Sequence, residues 1–420
     1  MKNTQNTLEQ VEESTISDAH LRKAIWGPFY HIAHLTGLIL PIDPQEIKTT
    51  KGFLRLIPNF LVIVILLVNT VYSSTMMSAM TFSVNWCYSV SLLFFAIHST
   101  VCSIVMTGYK FNNYFSNVIT LLRKATRNNF SVTSYIKGTI FKFTIRIIWF
   151  TVMMLSILVY CVDNFIMYHI TVTVAGRMNA PSTDIQYFRN SMFGNQSLFI
   201  VDTIIKVYGM LVSTSCLFMY VCANGASCAE FSQFNVELKN KIENKSILRL
   251  EVVKTLEFRL IDFLTLIKYV TENAVGTITI GFMSGVMILI CSMYPLRAFK
   301  EYLFFGITTF GFWIVAATLF LFYSTSRVGS FHQLLMETND LLNLSHEIEK
   351  EASDDRVRQV VRDMIGRINT VDYGSKNMLS VKSGTCLFAL LILIIPFSVD
   401  FLIRYKHVPE FLISMAKVNQ

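Results

Sequence analysis

The residues that could do chemistry in this sequence are charged and amide side chains inside long apolar segments. Asp202 and Lys206 stand four residues apart in one segment, so opposite charges share one face of a helix. Asp163 and Asn164 lie near the end of another segment. Polar groups in hydrocarbon are costly and therefore face the interior of a helical bundle. Two interpretations stay open: Asp202 and Lys206 form a self-neutralised local pair, or they belong to a binding pocket or an Asp163–Lys206 contact.

Aromatic and polar side chains collect at the predicted outer ends of the same segments, a mixture that suits a small-molecule ligand. We therefore predict a ligand site drawn from Trp86, Tyr160, Asp163, Asn164, Tyr168, His169, Asp202, Lys206, Thr308 and Trp313.

Enzyme signatures are missing from the sequence. It contains no GxSxG or HExxH motif, no glycine-rich phosphate loop, and no CxxC pair among its 8 cysteines. The cysteines are scattered and the histidines do not cluster, which predicts buried apolar cysteines and no metal site. We expect no catalytic activity and no cofactor.

Composition predicts an all-α membrane protein. Hydrophobic residues make up 53% of the chain and charged residues 15%, and the apolar residues come in long blocks. Seven blocks are long enough to be transmembrane helices: residues 54–80, 85–108, 147–171, 197–223, 273–294, 302–325 and 384–404.

The placement of basic residues predicts the orientation. Most of the 36 Lys and Arg residues fall in the N-terminal segment and the even-numbered loops. By the positive-inside rule these regions are cytoplasmic, which makes the C-terminus extracellular. Basic residues so placed choose a membrane side, and we expect no nucleic-acid partner. Of four N-x-S sequons, Asn129, Asn244 and Asn343 are then inside, and only Asn195 is exposed to glycosylation.

The loops on the cytoplasmic side carry helical patterns of their own. Apolar residues recur at helical spacing from Val253 to Val270, and again from Phe331 to Leu342 and from Val357 to Ile368. Each apolar stripe needs a partner, either another stripe or a neighbouring subunit. We predict the following division: an N-terminal segment with an interfacial helix (1–53), transmembrane helices one to four (54–225), a cytoplasmic helical extension (226–272), transmembrane helices five and six (273–325), cytoplasmic anchor helices (326–383), transmembrane helix seven (384–404) and an extracellular tail (405–420).

The last apolar segment has one distinct face. Ala389, Ile392, Pro396 and Asp400 share a narrow stripe, with larger apolar residues around the rest of the helix. Such a helix can line an ion path. The alternative is ordinary packing, in which Ala389 is a small contact residue, Pro396 a kink and Asp400 an interfacial residue.

Taken together, these features resemble the insect chemoreceptor superfamily, and its gustatory branch in particular. The last helix of that branch commonly carries Thr-Tyr, then five hydrophobic residues, then Gln-Phe. In this sequence the corresponding residues are Ala389-Leu390, the run LILII and Pro396-Phe397. The hydrophobic run and Phe397 match, whereas Pro396 stands where the family has Gln. Residues 373–383 resemble the lead-in to that helix, and residues 29–40 resemble the N-terminal opening.

The resemblance implies a function. It implies a gustatory-type receptor in the plasma membrane that is a ligand-gated, non-selective cation channel, with a tastant binding in the outer half of the bundle. It also implies a homotetramer or heterotetramer with related subunits, and a central pore lined by Ala389, Ile392, Pro396, Phe397 and Asp400. The alternatives are an odorant receptor of the same superfamily, a G-protein-coupled receptor or a transporter. A G-protein-coupled receptor requires an outside N-terminus, and no internal repeat typical of transporters is visible.

Overall fold

The structure is a computed structural model that describes residues 21–22, 25–27, 50–77, 84–127, 148, 151–162, 165, 198–298, 304–343, 354–370, 394–396 and 398–399. Within these ranges the secondary structure is helical and no strand occurs. The helices are α1 (Thr50–Met77), α2 (Val84–Phe111), α3 (Tyr114–Thr126), α4 (Thr151–Val162), α5 (Phe199–Glu243), α6 (Leu250–Ala298), α7 (Phe304–Asn343) and α8 (Asp355–Thr370). A short 3-10 helix, Ser246–Leu248, joins α5 to α6.

Three helices are far longer than a bilayer is thick. α5 has 45 residues, α6 has 49 and α7 has 40. At about 1.5 Å rise per residue they extend roughly 60 to 75 Å, about twice the ~30 Å hydrocarbon core. Each is therefore long enough to combine a membrane-spanning segment with an extension of similar length. The periodicity from Val253 to Val270 and the apolar segment 273–294 form one continuous helix, as predicted.

The extensions form a second bundle, here called the extension bundle: residues 226–243 of α5, 250–272 of α6 and 326–343 of α7, with α3 and α8. α6 packs against both α3 and α8, and α7 also contacts α8. The rings of Phe231, Phe234 and Phe263 meet in its core with centroids 5.2 to 5.7 Å apart. The apolar stripes are thus buried against each other within one chain, and their buried members are Val253, Leu256, Leu260, Phe263, Leu264, Ile267, Val270, Phe331, Leu335, Leu342, Val357, Val361, Met364 and Ile368.

Several helices have the composition of membrane spans. Within the described residues, three helices are long and apolar enough to cross a membrane, in Ser89–Tyr109, Phe199–Glu243 and Leu250–Arg297. Shorter apolar helices cover Phe60–Tyr72, Thr151–Val162 and Thr309–Phe322. All six coincide with predicted spans. The seventh span lies mostly outside the described residues, so the number seven and the orientation stay predictions.

Large apolar side chains cover the outside of the apolar helical segments just named, here called the membrane part. Leu61 on α1 is 57% exposed, Leu158 on α4 is 58% exposed and Ile200 on α5 is 70% exposed. Such a belt is unfavourable in water but matches the hydrocarbon of a bilayer. We infer that α1, α4 and the start of α5 face lipid.

The N-terminal segment contributes to the protein core. Leu21, Ile25 and Trp26 are buried, and the Trp26 ring meets Phe115 of α3 edge-on with centroids 5.0 Å apart. Most of the predicted interfacial helix lies outside the described residues.

Candidate functional site

A cavity of about 50 Å³ lies between four helices of the membrane part. α2, α4, α5 and α7 all contribute to its wall. The lining residues are Phe95, Val152, Met153, Ser156, Ile157, Met210, Ser213, Thr214, Trp313, Ala316, Leu319 and Phe320. The wall is therefore aromatic and aliphatic with a few hydroxyl groups, the usual composition of a site for a small organic molecule.

Close helix contacts hold this site together. At Gly209 of α5 an added Cβ would lie 2.8 Å from Ser99 Oγ on α2, so only glycine lets these helices approach so closely. At Gly285 of α6 an added Cβ would lie 2.8 Å from Leu321 Cγ on α7. Small residues at such crossings are typical of membrane bundles. They set the spacing of α5 and α7, on which Met210 and Trp313 stand.

Aromatic contacts orient Trp313. Its ring meets Phe95 of α2 edge-on with centroids 5.9 Å apart, and Phe310 of its own helix at 5.7 Å. Edge-to-face pairs of this kind are favourable beyond their apolar burial. The indole is thereby fixed as a wall between α2 and α7.

Three hydroxyl groups line the cavity, on Ser156, Ser213 and Thr214, and the first two are oriented by their own helices. Ser156 Oγ donates to the carbonyl of Val152 at 2.7 Å, and Ser213 Oγ donates to the carbonyl of Met210 at 3.0 Å. Because the hydroxyl protons are engaged, the free lone pairs of these oxygens act as acceptors. The oxygens of Ser156 and Ser213 therefore favour a ligand that donates a hydrogen bond.

Asp202 and Lys206 form the local ion pair that the sequence allowed. Lys206 Nζ lies 2.6 Å from Asp202 Oδ2, and the side chains are 14% and 3% exposed. Lys206 is about one helical turn and Asp202 about two turns from Met210, and neither lines the cavity. Asp202 Oδ1 is buried with no hydrogen-bond partner among the described residues. The two charges thus neutralise each other within α5.

Comparison with known families decides the classification. Residues 25–397 match the family described as "Caenorhabditis protein of unknown function, DUF267". This chain belongs to the DUF267 family. Comparison with curated proteins gives no match.

Solved structures show which fold this DUF267 chain has. The insect olfactory receptor OR5 from Machilis hrabei in complex with eugenol is similar with a TM-score of 0.65 and 12% identity, covering 93% of this chain and 99% of that one. A structure of the same receptor described without eugenol has a TM-score of 0.66 and 12% identity, covering 92% and 98%. At this identity the likeness concerns the fold alone. The DUF267 chain has the fold of an insect olfactory receptor over nearly its whole length.

The structure brings only part of the predicted ligand site together. Trp313 lines the cavity, whereas Trp86, Tyr160, Asp202 and Lys206 are described but do not. Thr308 lies in α7, with its side chain outside the described residues. The other predicted ligand residues, which are also outside the described ranges, are Asp163, Asn164, Tyr168 and His169.

Sequence reasoning did not find most of the cavity wall in the DUF267 chain. In the sequence, Phe95, Met210 and Phe320 are ordinary members of apolar segments. A polar residue in such a segment stands out in a sequence, but the apolar wall residue of a pocket does not. The helix crossings at Gly209 and Gly285 select these wall residues, and such crossings require three-dimensional coordinates.

The last helix is described only between Ile394 and Val399. Ile395 and Val399 are buried in the main core, Pro396 is half-buried, and Ile394 is 53% exposed. Ala389, Ile392, Phe397 and Asp400 lie outside the described residues, as does Asn195. The pore-lining role of this stripe stays a prediction.

The described residues contain no group of three or more His, Cys, Asp or Glu side chains that could hold a metal ion. The cysteines described are free thiols, most of them buried.

Proposed function

We propose that this chain is a chemosensory receptor subunit that acts as a ligand-gated, non-selective cation channel. A small molecule binds in the cavity between α2, α4, α5 and α7, and the last helix lines the pore through Ala389, Ile392, Pro396, Phe397 and Asp400. The observation that carries the proposal is this mainly apolar cavity between four helices, inside a fold shared with an insect olfactory receptor over 93% of the chain.

The chemistry of the wall supports a small, mainly apolar ligand. The solved receptor of the same fold is in complex with eugenol, an aromatic molecule with one hydroxyl group. The present cavity, at about 50 Å³, is smaller than the ~150 Å³ that accommodates benzene in an engineered protein core. Enclosing a whole aromatic ring therefore requires wall side chains to move, and Met153 and Met210 are flexible enough to contribute.

The proposal also specifies the branch of chemosensory receptors. The register of the last helix favours a gustatory-type receptor for a tastant, and the alternative is an odorant receptor of the same superfamily. A water-soluble tastant panel against a volatile panel separates the two. The less favoured alternatives, a G-protein-coupled receptor and a transporter, predict no ligand-dependent conductance in a cell that lacks other channels.

We further propose a homotetramer or heterotetramer with related subunits in the plasma membrane, with a cytoplasmic N-terminus. Channels of this kind need several copies of the last helix around one axis. The extension bundle gives each subunit a rigid part beside the membrane.

The test is expression of the chain alone in a null cell, with currents recorded across a ligand panel. Ala316→Phe fills the cavity and should raise the half-maximal ligand concentration at least tenfold with surface expression unchanged. Val315→Phe is the matched control, because Val315 is the neighbouring residue of α7 but is 47% exposed on the lipid side. Equal responses of the two variants would place ligand binding outside this cavity.

A further inference from the structure

A buried histidine stands directly behind the cavity wall. His98 of α2 is 1% exposed and lies one turn along the helix from Phe95. Its ring meets the Phe320 ring edge-on, with centroids 5.1 Å apart. Phe95 and Phe320 both line the cavity, whereas His98 does not. Phe320 thus contacts the cavity and the imidazole at the same time.

The imidazole of His98 lacks the partner that a buried polar group normally has. Its Nε2 atom has no hydrogen-bond partner among the described residues. The hydroxyls nearest to it in sequence are engaged elsewhere: Ser99 Oγ donates to the carbonyl of Phe95 at 2.7 Å, and Thr100 Oγ1 donates to the carbonyl of Ala96 at 2.8 Å. An edge-on aromatic ring replaces a hydrogen bond only weakly. A ligand group that reaches Nε2 therefore gains a hydrogen bond and removes a desolvation penalty.

The volume of the cavity indicates how a ligand could reach His98. An aromatic molecule does not fit in about 50 Å³ unless a wall side chain moves. Among the wall side chains, Phe320 is the one whose ring contact joins the cavity to His98. Rotation of its ring would enlarge the cavity and bring the imidazole into its wall.

We propose that His98 is a specificity-determining residue, and that the ligand is a small apolar molecule with one hydroxyl group, an alcohol or a phenol, whose hydroxyl binds His98 after Phe320 moves aside. A neutral imidazole has one donor and one acceptor nitrogen, and a hydroxyl satisfies either. The oxygens of Ser156 and Ser213 accept hydrogen bonds, which also favours a hydroxyl over a group that only accepts. This inference rests on the proposed use of the cavity as a ligand site.

The experiment compares benzyl alcohol with ethylbenzene, two probes of nearly the same shape that differ in the hydroxyl group. Binding is measured by isothermal titration calorimetry on the full chain in lipid nanodiscs. The ratio of benzyl alcohol affinity to ethylbenzene affinity should be about tenfold higher in the wild type than in His98→Leu, the factor expected of one buried hydrogen bond. His98→Gln, which retains a donor and an acceptor, should keep the wild-type ratio.

The displacement of the Phe320 ring is tested separately. Phe320→Ala should strengthen the binding of both probes, because no ring has to be displaced, whereas Phe322→Ala should not. Phe322 is the matched control, since it lies on the same helix and is 37% exposed. Weaker binding of both probes to Phe320→Ala would overturn the displacement step.

A wild-type measurement keeps the test decisive when His98→Leu does not fold. With ¹³C-labelled histidine, one imidazole resonance, identified by its loss in His98→Gln, should shift with benzyl alcohol and not with ethylbenzene. A folded His98→Leu with an unchanged probe ratio, or a His98 resonance that does not shift with the alcohol, would overturn the proposal. The proposed function fails by a different result: ethylbenzene binding that is unaffected by Ala316→Phe.

Discussion

At the scale of single residues, the buried charges of α5 have a structural explanation. The Nζ of Lys206 lies 2.6 Å from Asp202 Oδ2, and both side chains are shielded by the surrounding helices. In a low-dielectric setting an isolated charge is far more costly than a neutralised pair. The spacing of four residues on one helix allowed this contact but did not decide between a local pair and a binding pocket. It was not sufficient to predict that the pair lies apart from the cavity.

We predict that removal of one member of this pair destabilises the protein and removal of both does so far less. Asp202→Ala leaves Lys206 buried without its carboxylate and should cost about 3 kcal/mol of unfolding free energy. The double variant Asp202→Leu with Lys206→Met retains volume and should stay within about 1 kcal/mol of the wild type. Thermal unfolding in detergent measures both. If the double variant is folded but loses its ligand response, the pair contacts ligand, as the sequence predicted.

At the scale of helices, Asn235 joins two of the long helices in the extension bundle. Its Nδ2 donates to the carbonyl of Leu334 at 3.0 Å and to Glu337 Oε2 at 3.2 Å, and its Oδ1 accepts from Thr338 Oγ1 at 2.7 Å. Asn235 and Thr338 are both buried. A satisfied buried amide of this kind fixes the register of α5 against α7.

We predict that Thr338→Val, which keeps the shape of the side chain, destabilises the protein. It leaves Asn235 Oδ1 buried without its donor, at a cost of about 1 to 3 kcal/mol. Thr265→Val is the control, since Thr265 is exposed and its hydroxyl bonds only the carbonyl of Ile261 in its own helix. Comparable losses of thermal stability in the two variants would contradict the role given to Asn235.

The helices also show how far sequence patterns reach. The positions Val253, Leu256, Leu260 and Phe263 were predicted from a period near 3.6 and are all buried, because a stripe repeating at that period can be buried only on one side of a helix. The same rule predicted the buried face of α8. Periodicity cannot tell which partner covers a stripe. In the structure, α6 packs with α3, α7 and α8 of its own chain.

At the scale of the molecule, the long helices give the two ends of the protein different surroundings. Met210 and Trp313 line the cavity early in α5 and α7, and Asn235 and Thr338 meet late in them, so the two helices run parallel. Their apolar first parts lie beside the lipid-facing helices α1 and α4, and their polar last parts form the extension bundle. A membrane around the first parts leaves the extension bundle on one side in water.

The N-x-S sequons can show on which side of the membrane the extension bundle lies. Asn244 follows the last residue of α5, and Asn343 is the last residue of α7, so these two sequons share the far end of the extension bundle. Asn195 precedes Leu198, at the start of α5, by three residues, a chain length of at most about 11 Å. α5 extends over roughly 65 Å, so Asn195 and Asn244 are on opposite sides of the membrane if α5 spans it.

We predict that only Asn195 carries a glycan, because the positive-inside rule predicts a cytoplasmic extension bundle. The measurement is the electrophoretic shift produced by a glycosidase after expression in an animal cell, and Asn195→Gln should abolish that shift. Asn244→Gln and Asn343→Gln are the controls, and each should leave the shift unchanged. A shift that survives Asn195→Gln and disappears in one of the control variants reverses the orientation. The extension bundle would then be extracellular, α5 would run outward instead of inward, and the cavity between α2, α4, α5 and α7 would lie in the cytoplasmic half of the membrane, where a tastant outside the cell could not reach it directly.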